Sequence, residues 1–235
     1  MILQFSIKNY RTFKERAVLS FIASNYDKDT RENENIYYNE KFGLRLLKSA
    51  VIYGANASGK SKLLDAFAFM RHYVINSSKE SQKGDEIDVH PFRLNSATEN
   101  EPSEFEIIFI YKDILYRYGF EATKTRVISE WLFYKPKTKE IELFYRDNNK
   151  FDTHSRSFSK GKTVIKEGLL RDNALLLSVA AQFNDKTSIN VIDWFKRLKS
   201  LSGLNESGFQ GYTMSKTEDP IHKAKILDLL KAADL

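Results

Sequence analysis

The chain has 235 residues, 42% hydrophobic and 13% aromatic, with only four prolines and ten glycines, which excludes a fibrous or low-complexity chain. It has no cysteine, so disulfides, thiolate-bound zinc, iron–sulfur clusters and thiol catalysis are excluded. Lys plus Arg is 37 against 31 for Asp plus Glu, and the resulting +6 permits contact with nucleic acid without establishing it.

Met1, Leu3, Phe5 and Ile7 alternate with polar neighbours, the two-residue period of a half-buried strand. This N-terminus lacks the basic-then-apolar layout of a signal peptide. No apolar run approaches the roughly 20 residues needed to span a bilayer, so a soluble, cytoplasmic protein without a membrane partner is expected. Residues 17–22 (AVLSFI) read as a second strand and residues 24–45 as an exposed polar loop. Ser49-Ala50-Val51-Ile52-Tyr53 is a continuous apolar run ending at Gly54, the pattern of a strand buried on both faces. Leu63, Leu64, Phe67, Met70 and Val74 then recur at helical spacing, predicting a helix over 59–76. Residues 77–103 read as loop. Between 104 and 146 four alternating segments, centred on Phe105–Tyr111, Tyr116–Phe120, Val127–Phe133 and Ile141–Tyr145, predict an antiparallel meander, with Lys112-Asp113 as one turn. Residues 147–163 read as loop, 166–200 as helical, 201–218 as loop, and a helix resumes at Pro220 and runs on to Leu235 without a stop signal.

The chemistry is concentrated in Gly54-Ala55-Asn56-Ala57-Ser58-Gly59-Lys60-Ser61, which matches the Walker A pattern G-x-x-x-x-G-K-[ST] at every fixed position. The glycines let the backbone turn tightly and aim successive N–H groups at phosphate oxygens. The helix that follows adds its free N–H groups and positive end. Lys60 is expected to reach the β- and γ-phosphates, and the Ser61 hydroxyl to ligate magnesium. No guanine-reading Asn-Lys-x-Asp occurs, which favours ATP.

A first strand reading Phe5 to Lys14 (FSIKNYRTFK), followed some forty residues later by this loop, resembles the ABC-type ATPase heads of the RecF and SMC kind. More closely, the wording GANASGKS, Pro91-Phe92, the Phe105–Phe120 strands and Glu130-Trp131-Leu132 resemble bacterial AAA-family ATPases of the abortive-infection group (RloA/AbiL-like), related to the ATPase part of OLD proteins. The resemblance implies an α/β P-loop NTPase with a mixed sheet, an antiparallel meander and a helical segment. It implies that Arg11, just after the first strand, approaches the phosphates. It also implies an ATPase of anti-phage defence whose two heads sandwich ATP in a homodimer beside a nuclease or toxin effector, with DNA a further partner. The alternative is a DNA-repair or chromosome-maintenance ATPase of the RecF/SMC type. A small-molecule kinase fits poorly, because residues 77–103 carry only Arg93 where an arginine-rich lid is needed.

The hydrolytic parts of such heads have no match. Asp85-Glu86 follows Lys83-Gly84 instead of an apolar strand, and Ile192-Asp193 lies in a helical pattern. Gln182 reads as a structural helix residue, Leu201-Ser202-Gly203 as a chance likeness to the signature loop, and His72, His90, His154 and His222 as isolated. No catalytic residue is therefore assigned. The expectation is an N-terminal fragment: a nucleotide-binding lobe over 1–165 and a truncated helical subdomain over 166–235.

Overall fold

A computed structural model describes residues 1–26, 31–154, 156–201 and 209–233. It divides into two compact units, Met1–Leu198 and Lys199–Leu235. Residues 166–198, grouped with the C-terminal helices in the sequence reading, fall within the first.

The first unit is built on strands β1 (Ile2–Lys8) and β2 (Ala17–Ser20), a short helix α1 (Glu32–Asn35), and the hairpin β3 (Ile36–Asn39) and β4 (Leu44–Leu47). Helix α2 (Lys60–Asn76) follows, then strands β5 (Ser103–Tyr111), β6 (Ile114–Ala122), β7 (Val127–Lys135), β8 (Ile141–Asp147) and β9 (Lys150–Thr153). Helices α3 (Ser159–Lys166), α4 (Leu176–Gln182) and α5 (Lys186–Arg197) complete it. The second unit holds α6 (Phe209–Lys216) and α7 (Pro220–Ala232). Asp219 caps α7 by accepting from the Ile221 amide, with Pro220 in the first turn, as the sequence predicts.

Seven strands form one sheet in the order β2-β1-β5-β6-β7-β8-β9, every pairing antiparallel. The predicted meander is present, and Lys112 and Asp113 (φ 49° and 56°) turn β5 into β6 with the doubly left-handed geometry that suits strand twist. The mixed sheet is not formed among the described residues. The run that was to supply a doubly buried strand, Ser49–Tyr53, is unpaired: Val51 is 72% exposed and Tyr53 88%. Its apolar pattern calls for a neighbour on each side, and the described residues offer none. Three predicted loops also prove structured. Residues 24–45 contain α1 and β3 and lead into β4, residues 147–163 hold β9 and the start of α3, and residues 201–218 hold α6.

The core lies on one face of the sheet. Phe5, Ile7, Phe105, Ile107, Phe109, Tyr116, Tyr118 and Phe120 point from the strands toward Ala66, Met70 and Val74 of α2 and Trp194 and Phe195 of α5. Trp194 stacks on Phe109 with ring centroids 3.7 Å apart. Leu63 and Phe67 are partly buried, as predicted for the inner stripe of α2, whereas Leu64 is exposed. On the opposite face a smaller cluster, Leu3, Leu46 and Ile110, is where the β3–β4 hairpin packs.

A buried polar knot fastens α4 to the sheet. Glu130 is fully buried and accepts from the Tyr118 hydroxyl (3.0 Å) and the amides of Leu176 (2.6 Å) and Leu177 (3.0 Å). It thereby satisfies two of the free N–H groups that begin α4. The buried guanidinium of Arg146 donates to the Ala174 carbonyl at 2.9 Å beside it.

Candidate functional site

The Walker A segment forms the bend between the unpaired run and α2. Ala57 (φ 65°) and Gly59 (φ 95°) are both left-handed, the conformation that folds a chain around a small hollow. At Gly54 an added Cβ would meet Ser58 Oγ at 2.6 Å, so Ser58 would have to turn away. Gly59 is buried against the turn after β1, where an added Cβ lies 3.0 Å from Thr12 Oγ1 and 3.3 Å from Phe13 Cζ. Among the described residues, the N–H groups of Asn56, Ala57, Gly59, Lys60, Ser61 and Lys62 make no hydrogen bond within the protein. Six donors without an internal acceptor thus lie at the positive end of a helix of 17 residues, a geometry that suits an anion.

Lys60 is half-buried at the start of α2. Its ammonium donates to the carbonyls of Gly54 (2.6 Å) and Ala55 (2.7 Å), folding back across the bend. Ser61 is exposed on the first turn of α2.

Arg11 sits one residue before Thr12, so the β1 turn brings it beside the bend. It has φ 50°, and its amide donates to the His90 carbonyl at 2.7 Å. Its Nε donates to the Tyr10 hydroxyl at 3.2 Å, and this bond holds the guanidinium pKa above its usual value. Burial pushes the Tyr10 phenol up as well. Arg11 lines a cavity of about 460 Å³ with Tyr10, Asp65, Phe69, His72 and Asp88. Asp65 lies five residues along α2 from Lys60, roughly 7.5 Å up the helix axis.

The residue that sets this turn is one sequence reading passed over. Asn9 is 1% exposed and left-handed (φ 51°). Its Nδ2 donates to the carbonyls of Thr98 (2.8 Å), Glu101 (2.9 Å) and Pro102 (3.3 Å), and its Oδ1 accepts from the Phe92 amide (3.0 Å). One amide thus ties loop 92–102 to the end of β1 and fixes the start of the Tyr10–Phe13 turn. An asparagine just after an alternating strand, a residue type that tolerates positive φ, was the available signal.

The other candidates are not brought to the bend. Asp85 and Glu86 are exposed, and Asp85 caps a local turn through the Gln82 amide. Asp193 is within α5, and Gln182 ends α4 with its amide 3.5 Å from the Ser78 carbonyl. His72, His90 and His222 face Glu80, Asp88 and Asp219 at 3.5, 3.0 and 2.8 Å. Ser202 and Gly203 lie outside the described residues. No group of three or more metal-ligating side chains occurs among the described residues, nor does any helix long and apolar enough to cross a membrane.

A search of curated proteins returns no match. A family model described as "AAA domain, putative AbiEii toxin, Type IV TA system" matches residues 49–231, from the unpaired run through the bend, α2, the meander and the helices. The chain belongs to this AAA-domain family.

Proposed function

We propose that the chain is the ATP-binding part of an AAA-family ATPase acting in a toxin–antitoxin or anti-phage system, with Gly54–Ser61 as its phosphate-binding loop. The observation that carries this reading is the run of unpartnered N–H groups on a left-handed bend at the start of α2. In this reading the Ser61 hydroxyl would hold Mg²⁺, which would supply positive charge to the phosphates. Lys60 exchanges its two carbonyl partners for the β- and γ-phosphates, a charge-assisted contact that outweighs neutral acceptors. Arg11 and the adjoining cavity take the nucleoside, with Asp65 and Asp88 available to accept from an exocyclic amine and Phe69 and Tyr10 supplying aromatic walls.

ATP hydrolysis in this reading needs groups the bend does not gather. In this reading two heads close on ATP as a homodimer in the cytoplasm beside a nuclease or toxin effector, and the exposed run Val51–Tyr53 offers a neighbour an unpaired edge. Loss of the γ-phosphate then opens the pair.

Titration calorimetry of Lys60→Ala tests the assignment. Most affinity for Mg-ATP is expected to vanish with the thermal midpoint unchanged. Wild-type affinity in that variant refutes it.

A further inference from the structure

Two basic segments adjoin one another, far in sequence from the Gly54–Ser61 bend. Lys135, Lys137 and Lys139 lie at the tip joining β7 to β8, and Arg156, Lys160, Lys162 and Lys166 lie just before and along α3. No carboxylate occurs in residues 133–139 or 153–166. Three contacts join the two segments: the Tyr134 hydroxyl donates to Ser157 Oγ at 3.2 Å, the His154 amide donates to the Leu143 carbonyl at 2.8 Å, and Phe144 stacks on Phe158 at 4.7 Å.

Lys137, Lys139, Arg156, Lys160, Lys162 and Lys166 are exposed, and none makes an ion pair or a side-chain hydrogen bond among the described residues. Some surface cations elsewhere are paired. Arg16 pairs with Glu104 and Glu106, Lys62 with Asp65, Arg117 with Glu140 and Lys196 with Asp193. The carboxylate nearest the hairpin tip, Glu140, is thus already engaged by Arg117.

We propose that this surface binds the phosphate backbone of duplex nucleic acid. Unmatched like charges repel one another, and a polyanion relieves that repulsion while releasing its own counterions. The chemistry selects a duplex over other polyanions. No large apolar or aromatic side chain of 135–139 or 156–166 is exposed, so the surface has neither a stacking platform for unpaired bases nor a wedge for a bilayer. Contact is through phosphates alone, hence insensitive to sequence and steeply dependent on salt. The inference does not rest on the nucleotide reading, because no residue of the bend takes part.

The experiment is fluorescence anisotropy of a labelled DNA duplex of about 30 base pairs, titrated with the whole chain at several salt concentrations between about 50 and 200 mM. The comparison is with the quadruple variant K137Q/K139Q/K160Q/K162Q, and with a control, K79Q/K186Q, that removes two exposed charges elsewhere. The quadruple variant is expected to bind roughly tenfold or more weakly, with a plot of log Kd against log salt flatter by about three to four units, since each lost phosphate contact removes close to 0.9. The control is expected to stay near wild type, and duplex RNA to lose affinity in parallel. Four outcomes overturn the proposal: no duplex binding at 50 mM salt, equal slopes in quadruple variant and wild type, binding confined to single strands, or binding only to anionic vesicles. A circular-dichroism melt matching wild type separates lost contacts from lost fold.

Discussion

Replacing Asn9 probes how the fold holds its candidate site. Asn9→Ala removes donors to three carbonyls and the acceptor for the Phe92 amide in a place 1% exposed. With the 3.3 Å contact counted as marginal, three good bonds remain, worth about 1 kcal/mol each net. Left-handed backbone at φ 51° adds about 1 kcal/mol for alanine. The expected loss is therefore about 3–4 kcal/mol, a large share of the roughly 5–15 kcal/mol that holds a domain folded. Asn9→Gly keeps the hydrogen-bond loss and removes the strain, so it should be less harmful than Asn9→Ala by about 1 kcal/mol, partly offset by glycine's greater unfolded-state entropy. Urea denaturation reads both: the midpoint should fall while the slope stays constant. A loss below about 1 kcal/mol for Asn9→Ala, or Asn9→Gly the worse of the two by more than about 1 kcal/mol, refutes the claim that this amide fixes the turn.

Two further outcomes are expected. Ser61→Ala should bind ATP with little dependence on magnesium, measured by calorimetry with and without chelator; a preserved magnesium dependence removes Ser61 from the metal's ligands. Burial raises the Glu130 carboxyl pKa above its ordinary 4.5, against the opposing pull of Arg146 and the α4 amides. The folded state then holds the proton more tightly than the unfolded one, so this contribution to stability is complete below pH 4.5 and lost as pH rises through the raised folded value. The stability difference between Glu130→Gln and wild type, from urea melts at pH 4.5 and at about pH 7, should shift in the variant's favour at the higher pH. A pH-independent difference, or a shift the other way, contradicts the buried-carboxyl account.

The meander was legible because Phe105, Ile107 and Phe109 enter the main core while Glu104, Glu106 and Ile108 do not, so core-facing residues recur with the pleat. The bend's sharpness was legible at Gly59, whose left-handed φ glycine adopts most readily. The β3–β4 hairpin was not, because its four-residue strands bury little more than Leu46 and Asn39 and leave Tyr37 and Tyr38 exposed. Nor was α3: it carries a glycine in its first turn, where Phe158 lays its ring so close that any Cβ is 1.8 Å from a ring carbon. Arg11 was placed correctly after β1, but its surroundings depend on a positive φ and a bond to His90, neither of which a residue type announces.

The bare stretch from Ser49 to Tyr53 has a mechanical consequence. A bend can grip only as firmly as its two ends are anchored, and here one end is a well-packed helix while the other is an unpaired, exposed run. On the proposed phosphate-binding reading, a neighbour that lent that stretch hydrogen bonds would also stiffen the grip, and by reciprocity an occupied bend would tighten the hold on the lender. Occupancy and assembly would then be one equilibrium read at opposite ends of five residues.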